Sequence, residues 1–571
     1  MTSATIPDPE NKEQQRKKQP LDIAAPIVMA LVAVGIAAML LLGSQALPGV
    51  RTFSWQDKAV AADDIAFLLT FTQPMVPESV EENLKIEPAL PGKISWAGRR
   101  MAYTLDAPAP YGERFEISLS ESKALIGQAG FEPFEGEFVT RDRAFVYIGA
   151  EGEDTDRLVL FNLTKKEKTL LTPPGQIVLD FKPYPGRDRI LFSAVDADGP
   201  SDRVASTQLY SVTTGLGELP AIPAWQFWKE NTLPTAGETK LVLDNQDFQN
   251  LKFDLSADGK TIVIQRVSQT NPADFGPWVV REGEAPRKLQ TEPGGDFRIA
   301  PDSVSLLLQQ GQGTAVINLE PDVVATESDT LLLDFLPDYG LTLDIADDGR
   351  SAALVNFNQD DPNERFTQSL FWISNQGEEK LLLQTNGAIL SAQFDESGEI
   401  LYCLVNRLLR TPQTDEGGEE AGESREEVSE DIPGEAISEG DIASDEELNT
   451  DPPEATEPVD LLEEEYSLSP YLTAITVETG KEQKLLEMPP QPNITVSLSP
   501  DGLAMLFDEA LVNDAQNTPL ATPLESDYDG PTHRLWLLPL FGTPEERLSR
   551  DPVALSPAEL DIAGRHPAWL P

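Results

Sequence analysis

Few residues in this chain are of the types that do chemistry, and their spacing argues against most reactions. It has two histidines, His533 and His566, and one cysteine, Cys403. A single cysteine permits neither an intrachain disulfide nor a cysteine-based zinc site. Cys403 lies in the apolar run ILYCLV (400–405) and reads as a small buried hydrophobe. The histidines lie far apart in sequence and lack the spacing of a ligand pair. A Ser-His-Asp triad could draw only on His533, just before RLWLL, or on His566, beside Pro567; both read as turn or surface residues. G-x-S-x-G, Walker, H-E-x-x-H and C-x-x-C patterns are absent. Gly149 and Gly152 sit in the acidic turn FVYIGAEGEDT (145–155), a poor cradle for phosphate. DNQDFQN (244–250) and ESDYDGP (525–531) offer carboxylates to a hard cation, but neither matches the EF-hand loop or its closing Glu. The expectation is no catalytic, cofactor-binding or metal-ligating residue, no cofactor, and no enzyme.

The acidic residues that recur most regularly belong to a repeated phrase. It is clearest as FDLSADGKTIVI (253–264) and returns as RIAPDSVSLLL (298–308), LDIADDGRSAALV (343–355), QFDESGEILYCL (393–404) and VSLSPDGLAMLF (496–507). Each reads as strand, tight turn, strand. Gly accepts a positive φ at such a corner and Asp bonds its own backbone, so these aspartates are read as hairpin corners, not a catalytic carboxylate set. Taking the second strand as marker, copies fall near 143–149, 189–193, 261–265, 304–308, 351–356, 399–404 and 503–507. Steps of about 40–50 residues with four short strands per unit predict propeller blades. Seven is the count, with six or eight as alternatives because some copies are degenerate.

Two gaps break the period. One is read as an insertion that includes AIPAWQFWKENTLPTAGE (221–238), whose Trp225, Phe227 and Trp228 form either a contact patch or a satellite core under a long loop. The other is residues 411–465, with 22 Asp or Glu and one basic residue, Arg425. Such a segment cannot bury enough surface to offset its ordering entropy and is expected to be a disordered acidic insertion within the sixth blade. Weak calcium binding by this insertion is the functional alternative to a merely tolerated loop. HPAWLP (566–571) opens a repeat without its turn, and RAFVYIG (143–149) starts a repeat without its first strand. The two fragments complement each other, which predicts closure of the ring by the C-terminal strand.

Net charge is −53, from 43 basic and 96 acidic residues. That balance repels phosphate backbones and excludes nucleic acid as a partner. Residues 23–42 (IAAPIVMALVAVGIAAMLLL) carry no charge, and twenty residues at ~1.5 Å rise span roughly 30 Å of hydrocarbon. Arg16, Lys17 and Lys18 precede the run, so the positive-inside rule puts the N-terminus in the cytoplasm. A cleaved signal peptide is the competing reading; the length of the run favours a single-pass anchor. The expected layout is a cytoplasmic segment (1–20), a transmembrane anchor (21–43), a linker (44–59), a β-sandwich (60–140) and an all-β propeller (141–571).

Two resemblances add to this. LTFTQPMVPESV (69–80) and IEPALPGKISWAGRRMAYTLDAPAPYGERFEISL (86–119) resemble the bacterial Ig-like domain of S-layer-type surface proteins, through Phe71, Pro74, Met75, Ser79, Val80, Pro88, Gly92, Trp96 and Gly112. Thr72 and Phe115 depart from the usual Ser and Tyr. This resemblance implies a spacer without catalytic residues; read from the residues alone, Trp96 is a core aromatic. VSLSPDGLAMLF and its relatives resemble TolB-like (WD40-like) propeller repeats. Together they imply a non-enzymatic binding or scaffolding protein of the bacterial cell envelope. Such a protein would sit in the inner membrane with its bulk periplasmic or extracellular and take an envelope protein or glycan as partner. The alternative is a propeller enzyme or small-ligand binder acting at the central channel.

Overall fold

The computed structural model describes residues 28–37 and 47–571, apart from 126–129, 200–205, 218–231, 293, 312, 321–335, 337–339, 360–363, 365–366, 411–465, 492 and 512–531. The cytoplasmic segment, most of the proposed anchor, the Trp225 aromatic group, the acidic insertion and ESDYDGP therefore lie outside the described residues. Residues 28–37 are helical and exposed. Among the described residues no helix is long and apolar enough to cross a membrane.

Eight strands come first: β1 (Val50–Phe53), β2 (Ala59–Val60), β3 (Ala66–Phe71), β4 (Leu84–Glu87), β5 (Gly92–Ala97), β6 (Arg100–Leu105), β7 (Arg114–Leu119) and β8 (Phe134–Thr140). They pair as two sheets, β1-β3-β6-β5 and β2-β8-β7-β4. Period-two alternation sends Phe67, Leu69 and Phe71 from one sheet, and Phe115, Ile117 and Leu119 from the other, into one core. The stretch 44–59, expected as a linker, instead supplies β1 and the buried Phe53 and Trp55. Too few alternating residues precede Trp55 for the pattern to announce a strand. Trp96 is only partly buried, stacked on Phe71 at the margin of the core, with its Nε1 donating to Glu81 at 3.1 Å.

The remaining strands form successive antiparallel meanders. Sheet 1 holds β9 (Ala144–Gly149), β10 (Leu158–Asn162) and β11 (Glu167–Leu170). Sheet 2 holds β12 (Gln176–Pro183), β13 (Arg189–Asp196), β14 (Gln208–Thr213) and β15 (Thr239–Leu243). Sheet 3 holds β16 (Phe248–Leu255), β17 (Thr261–Ser268), β18 (Phe275–Arg281) and β19 (Arg287–Lys288). In sheet 4 the described strands are β20 (Phe297–Ile299), β21 (Ser305–Gln310) and β22 (Gly313–Asn318). Sheet 5 holds β23 (Leu341–Ile345), β24 (Ser351–Asn356), β25 (Gln368–Ser374) and β26 (Glu379–Thr385). Sheet 6 holds β27 (Ala388–Phe394), β28 (Ile400–Arg410), β29 (Tyr466–Thr476) and β30 (Lys481–Glu487). Sheet 7 holds β31 (Val496–Leu498), β32 (Ala504–Leu511), β33 (Thr532–Pro539) and β34 (Ala558–Trp569).

No single core serves these sheets. Their apolar residues fall into clusters that each lie between two neighbours: 1 with 2, 2 with 3, and on to 6 with 7. A further cluster joins sheet 7 to sheet 1 through Leu506, Leu535 and Trp569 on one side and Phe145, Tyr147 and Val159 on the other. β34 spans the same junction. Its first half pairs with β33, and its second half, from Gly564 to Trp569, pairs with β9. The arrangement is that of a β-propeller, and sheet 1 takes its innermost strand from the C-terminus.

The repeated phrase behaves as turn chemistry requires. In FDLSADGKTIVI, Asp258 Oδ1 accepts from Ser256 Oγ (2.7 Å) and from Lys260 N–H (3.0 Å), and Gly259 has φ +70. In RIAPDSVSLLL a serine, Ser303, takes the positive φ, and Asp302 Oδ1 accepts from the Val304 and Ser305 amides. The 411–465 insertion leaves from the β28–β29 hairpin, whose two strands pair from Ile400↔Thr476 out to Arg410↔Tyr466.

Candidate functional site

The first strand of every sheet faces one common axis. A cavity of about 580 Å³ there is lined by Lys182, Asp254, Arg298, Asp344, Gln393, Ser497 and Ala568 at one level, each from a different sheet. The strand pleat puts these residues at one register: each precedes the last residue of its first strand and lines the cavity, Ala568 also packing against the cluster between sheets 1 and 2. Asp180, Ser391, Thr495 and His566 line the same cavity.

These side chains tie neighbouring sheets together. Asp254 Oδ2 accepts from Ile299 N–H of the next sheet at 2.8 Å, and Asp344 Oδ2 from Phe394 N–H at 2.9 Å. Gln393 Oε1 accepts from Leu498 N–H at 3.3 Å, and Ser497 Oγ from Trp569 N–H at 3.2 Å. Where the residue at this register is basic, it reaches a carboxylate on the following sheet instead: Lys182 to Asp254 at 3.3 Å and Arg298 to Asp344 at 2.8 Å. Lys252 also pairs with Asp296 across the junction of sheets 3 and 4. Burial in the channel pushes the Asp344 carboxyl up to about 6, against the pull of Arg298 and the Phe394 amide.

The wall is therefore of two kinds. Along sheets 2 to 5 it is charged, with Lys182 paired to Asp254 and Arg298 to Asp344 beside the further carboxylates Asp180 and Asp347. Along sheets 6, 7 and 1 it is mainly uncharged and polar, with Ser391, Gln393, Thr495, Ser497 and His566 beside one carboxylate, Asp395. His566 lines the channel, and His533, distant in sequence, is near enough to feel its charge. His566 has φ +51, its N–H donates to Asp508 Oδ2 at 2.9 Å, and its Nδ1 lies 3.3 Å from Thr495 Oγ1. Burial holds His533 below the usual histidine range; Asp508 opposes this, and Arg565 and His566 add to it. Among the described residues no three His, Cys, Asp or Glu are placed to hold a metal ion. Asp244 and Asn250 of DNQDFQN serve the connection between sheets 2 and 3: Asn250 Nδ2 donates to the Thr207 and Asp244 carbonyls and its Oδ1 accepts from Arg266. Cys403 is fully buried in the cluster between sheets 5 and 6, and burial raises its thiol pKa.

The sandwich docks on the end of the propeller where first strands turn into second strands. Asp501, the corner of VSLSPDGLAMLF, is buried there. Its Oδ2 accepts from Tyr111 N–H of the sandwich at 3.0 Å and pairs with Arg143 at 3.2 Å, while Oδ1 keeps its turn bond with Ser499 at 2.6 Å. Arg547 donates to the Pro108 carbonyl. Arg187, also buried, donates to the Asp142 carbonyl at 3.0 Å, and burial lowers its pKa to about 10. Successive turns of a meander alternate ends, so the β28–β29 hairpin and its insertion leave from the opposite end of the propeller.

No family model and no curated protein sequence matches the chain. Among solved structures it is similar to an oligogalacturonate lyase in complex with manganese (11% identity, 68% of this chain and 83% of that one, TM-score 0.37). It is also similar to TolB from Acinetobacter baumannii (8% identity, 86% and 83%, TM-score 0.33) and to the tricorn protease (11% identity, 90% and 44%, TM-score 0.28). These similarities leave binding and catalysis undecided, and the propeller stands on the strand pairing described above.

Proposed function

We propose that the chain is a membrane-anchored, non-enzymatic binding or scaffolding module of the bacterial cell envelope. In this reading residues 21–43 are the anchor, the sandwich is an Ig-like spacer, and a seven-bladed propeller presents its channel and free end to an envelope protein or glycan. The observation that carries the reading is the polar cavity to which the first strand of every sheet contributes. A rigid ring with a hydrogen-bonding channel suits recognition, and side chains committed to inter-sheet bonds are poor candidates for turnover. The apolar, exposed helix at 28–37 and the docking of the sandwich on one end of the propeller fit an anchor on that side. The opposite end would then face away from the membrane.

The test is capture of partners from envelope extract by the full chain in detergent, with protease protection of terminally tagged protein in intact cells. A stoichiometric partner and an external C-terminal tag are expected; a cytoplasmic C-terminus would overturn the reading. The second reading, a channel enzyme or small-ligand binder, is favoured by one feature, the His566–Thr495 contact at the channel wall. Turnover in a hydrolase and lyase panel that is lost in His566→Asn would establish it.

A further inference from the structure

We propose that the neutral arc of the channel wall, formed by Ser391, Gln393, Thr495, Ser497 and His566, is a subsite for an uncharged polyhydroxylated ligand of about trisaccharide size. The proposal rests on the channel being the recognition site and names the chemistry that it takes.

The charge of the channel decides first what it refuses. Its lining includes five carboxylates, Asp180, Asp254, Asp344, Asp347 and Asp395, against Lys182 and Arg298. Both basic groups already pair with Asp254 and Asp344. An anionic ligand would enter a cavity of surplus negative charge and would have to break those pairs to gain a counter-charge. The charged arc is thus a poor host for uronates, phosphates and acidic peptides.

The neutral arc has the complementary property. It offers hydroxyls that both donate and accept, an amide and an imidazole, and its one carboxylate, Asp395, is engaged in its own turn by Ser397, Glu399 and Ile400. Gln393 spends its carbonyl oxygen on Leu498, so its two N–H donors remain for a ligand, and the Ser391 hydroxyl has no partner among the described residues. His566 Nδ1 is engaged by Thr495, which leaves Nε2 as the contacting atom. Its left-handed backbone is held by the Asp508 carboxylate, so the ring is placed by the closing strand and does not depend on the ligand for its position. Alternating donors and acceptors along a wall match the vicinal hydroxyls of a sugar. About 580 Å³ lies within the ~300–1,000 Å³ common to small-molecule sites.

The experiment measures binding to the full chain in detergent by saturation-transfer NMR and calorimetry, with maltotriose, chitotriose and trigalacturonate as probes. The variants are Gln393→Glu, which keeps the acceptor for Leu498 and loses the donors, and His566→Asn, since asparagine tolerates the left-handed backbone. Retained thermal transitions show that both fold. A neutral trisaccharide is expected to bind, each variant is expected to weaken it about tenfold, and trigalacturonate is expected not to bind. Tighter binding of trigalacturonate, or neutral binding that both variants leave unchanged, overturns the proposal. If no sugar binds while a protein partner is captured and both variants leave that capture intact, the subsite fails and the scaffolding reading stands. Sugar binding without any protein partner supports the subsite and narrows the proposed function to its glycan-binding form.

Discussion

Two junctions join parts of this chain that are far apart in sequence, and they are built differently. The junction of sheet 7 with sheet 1 is a backbone ladder over an apolar cluster: β34 lies between β33 and β9, with Trp569 against Phe145 at 5.6 Å in an edge-to-face pair. The junction of sandwich and propeller is made of directed polar contacts, centred on one buried carboxylate, Asp501, and on the arginines Arg143, Arg187 and Arg547. A ladder needs only the right strand in the right register. A dock of charges needs each partner in place, and removing one strands the other in a dry environment. The first junction is thus the stronger and the second the more specific.

The largest expected effect tests the ladder. Trp569→Ala removes the largest side chain at the closure and leaves a cavity among Phe145, Leu506 and Leu535, at a cost of about 3–5 kcal/mol. Denaturant unfolding should show an early transition, and hydrogen exchange should quicken in β34 and β9 while the sandwich strands keep their protection. Equal loss of protection in the sandwich would mean that the two junctions are not independent.

Asp501→Ala tests the dock. It leaves the Tyr111 amide and the Arg143 guanidinium without their acceptor and removes a corner bond, costing about 2–4 kcal/mol. Asp501→Asn keeps an acceptor and should recover about half. The expected readout is faster proteolysis of the segment between β8 and β9, with the inter-sheet clusters unaffected; an unchanged cleavage rate would place the strength of the dock elsewhere.

These contrasts also explain what could be read in the sequence. The pairing of the C-terminal strand with β9 was legible because a strand ladder leaves a fragment at each end of the chain: HPAWLP without its turn and RAFVYIG without its first strand. The hairpin corners were legible because turn geometry restricts residue type. The dock was not, since Asp501 has the same identity as its fellow corners, and only packing reveals that it serves two roles. The polar ring was half visible. Lys182, Asp254, Arg298, Asp344, Gln393 and Ser497 each stand between two apolar residues at the end of a first strand, a pattern that signals an inward face without saying what meets it. The proximity of His533 to His566 depends on register across β32, β33 and β34, which spacing along the chain does not encode.

A third connection, the 411–465 insertion, should contribute no strength of its own. Arg410 and Tyr466 already pair, so replacing the 55 residues by a four-residue turn shortens a loop between fixed ends. Loop-closure entropy then favours the shortened chain by at most about 2 kcal/mol, with no loss expected. A lowered melting temperature would show that the insertion makes contacts with the propeller.

The smallest effect separates the two uses of a carboxylate at these boundaries. Asp344, like Asp501, accepts a backbone N–H from across a junction and pairs with an arginine. Burial nevertheless raises its pKa from 3.8 to about 6, the neighbouring Asp347 adding to the rise, because Arg298 is itself half exposed and offsets the desolvation only in part. A carboxyl whose pKa is higher in the folded state binds its proton more tightly there. Its contribution to stability is present below pH ~4 and lost as the pH rises through about 6. Asp344→Asn keeps an acceptor for the Phe394 amide and never ionises. Relative to wild type, the variant should therefore gain stability between pH 4 and pH 7, the attraction to Arg298 being already contained in the raised pKa. Melting temperatures of the two proteins at pH 4, 5, 6 and 7 give that difference directly, with every other titrating group common to both. A difference that stays flat across the window would mean that Arg298 fully compensates the buried charge, and that the ring is held by ion pairing as the dock is.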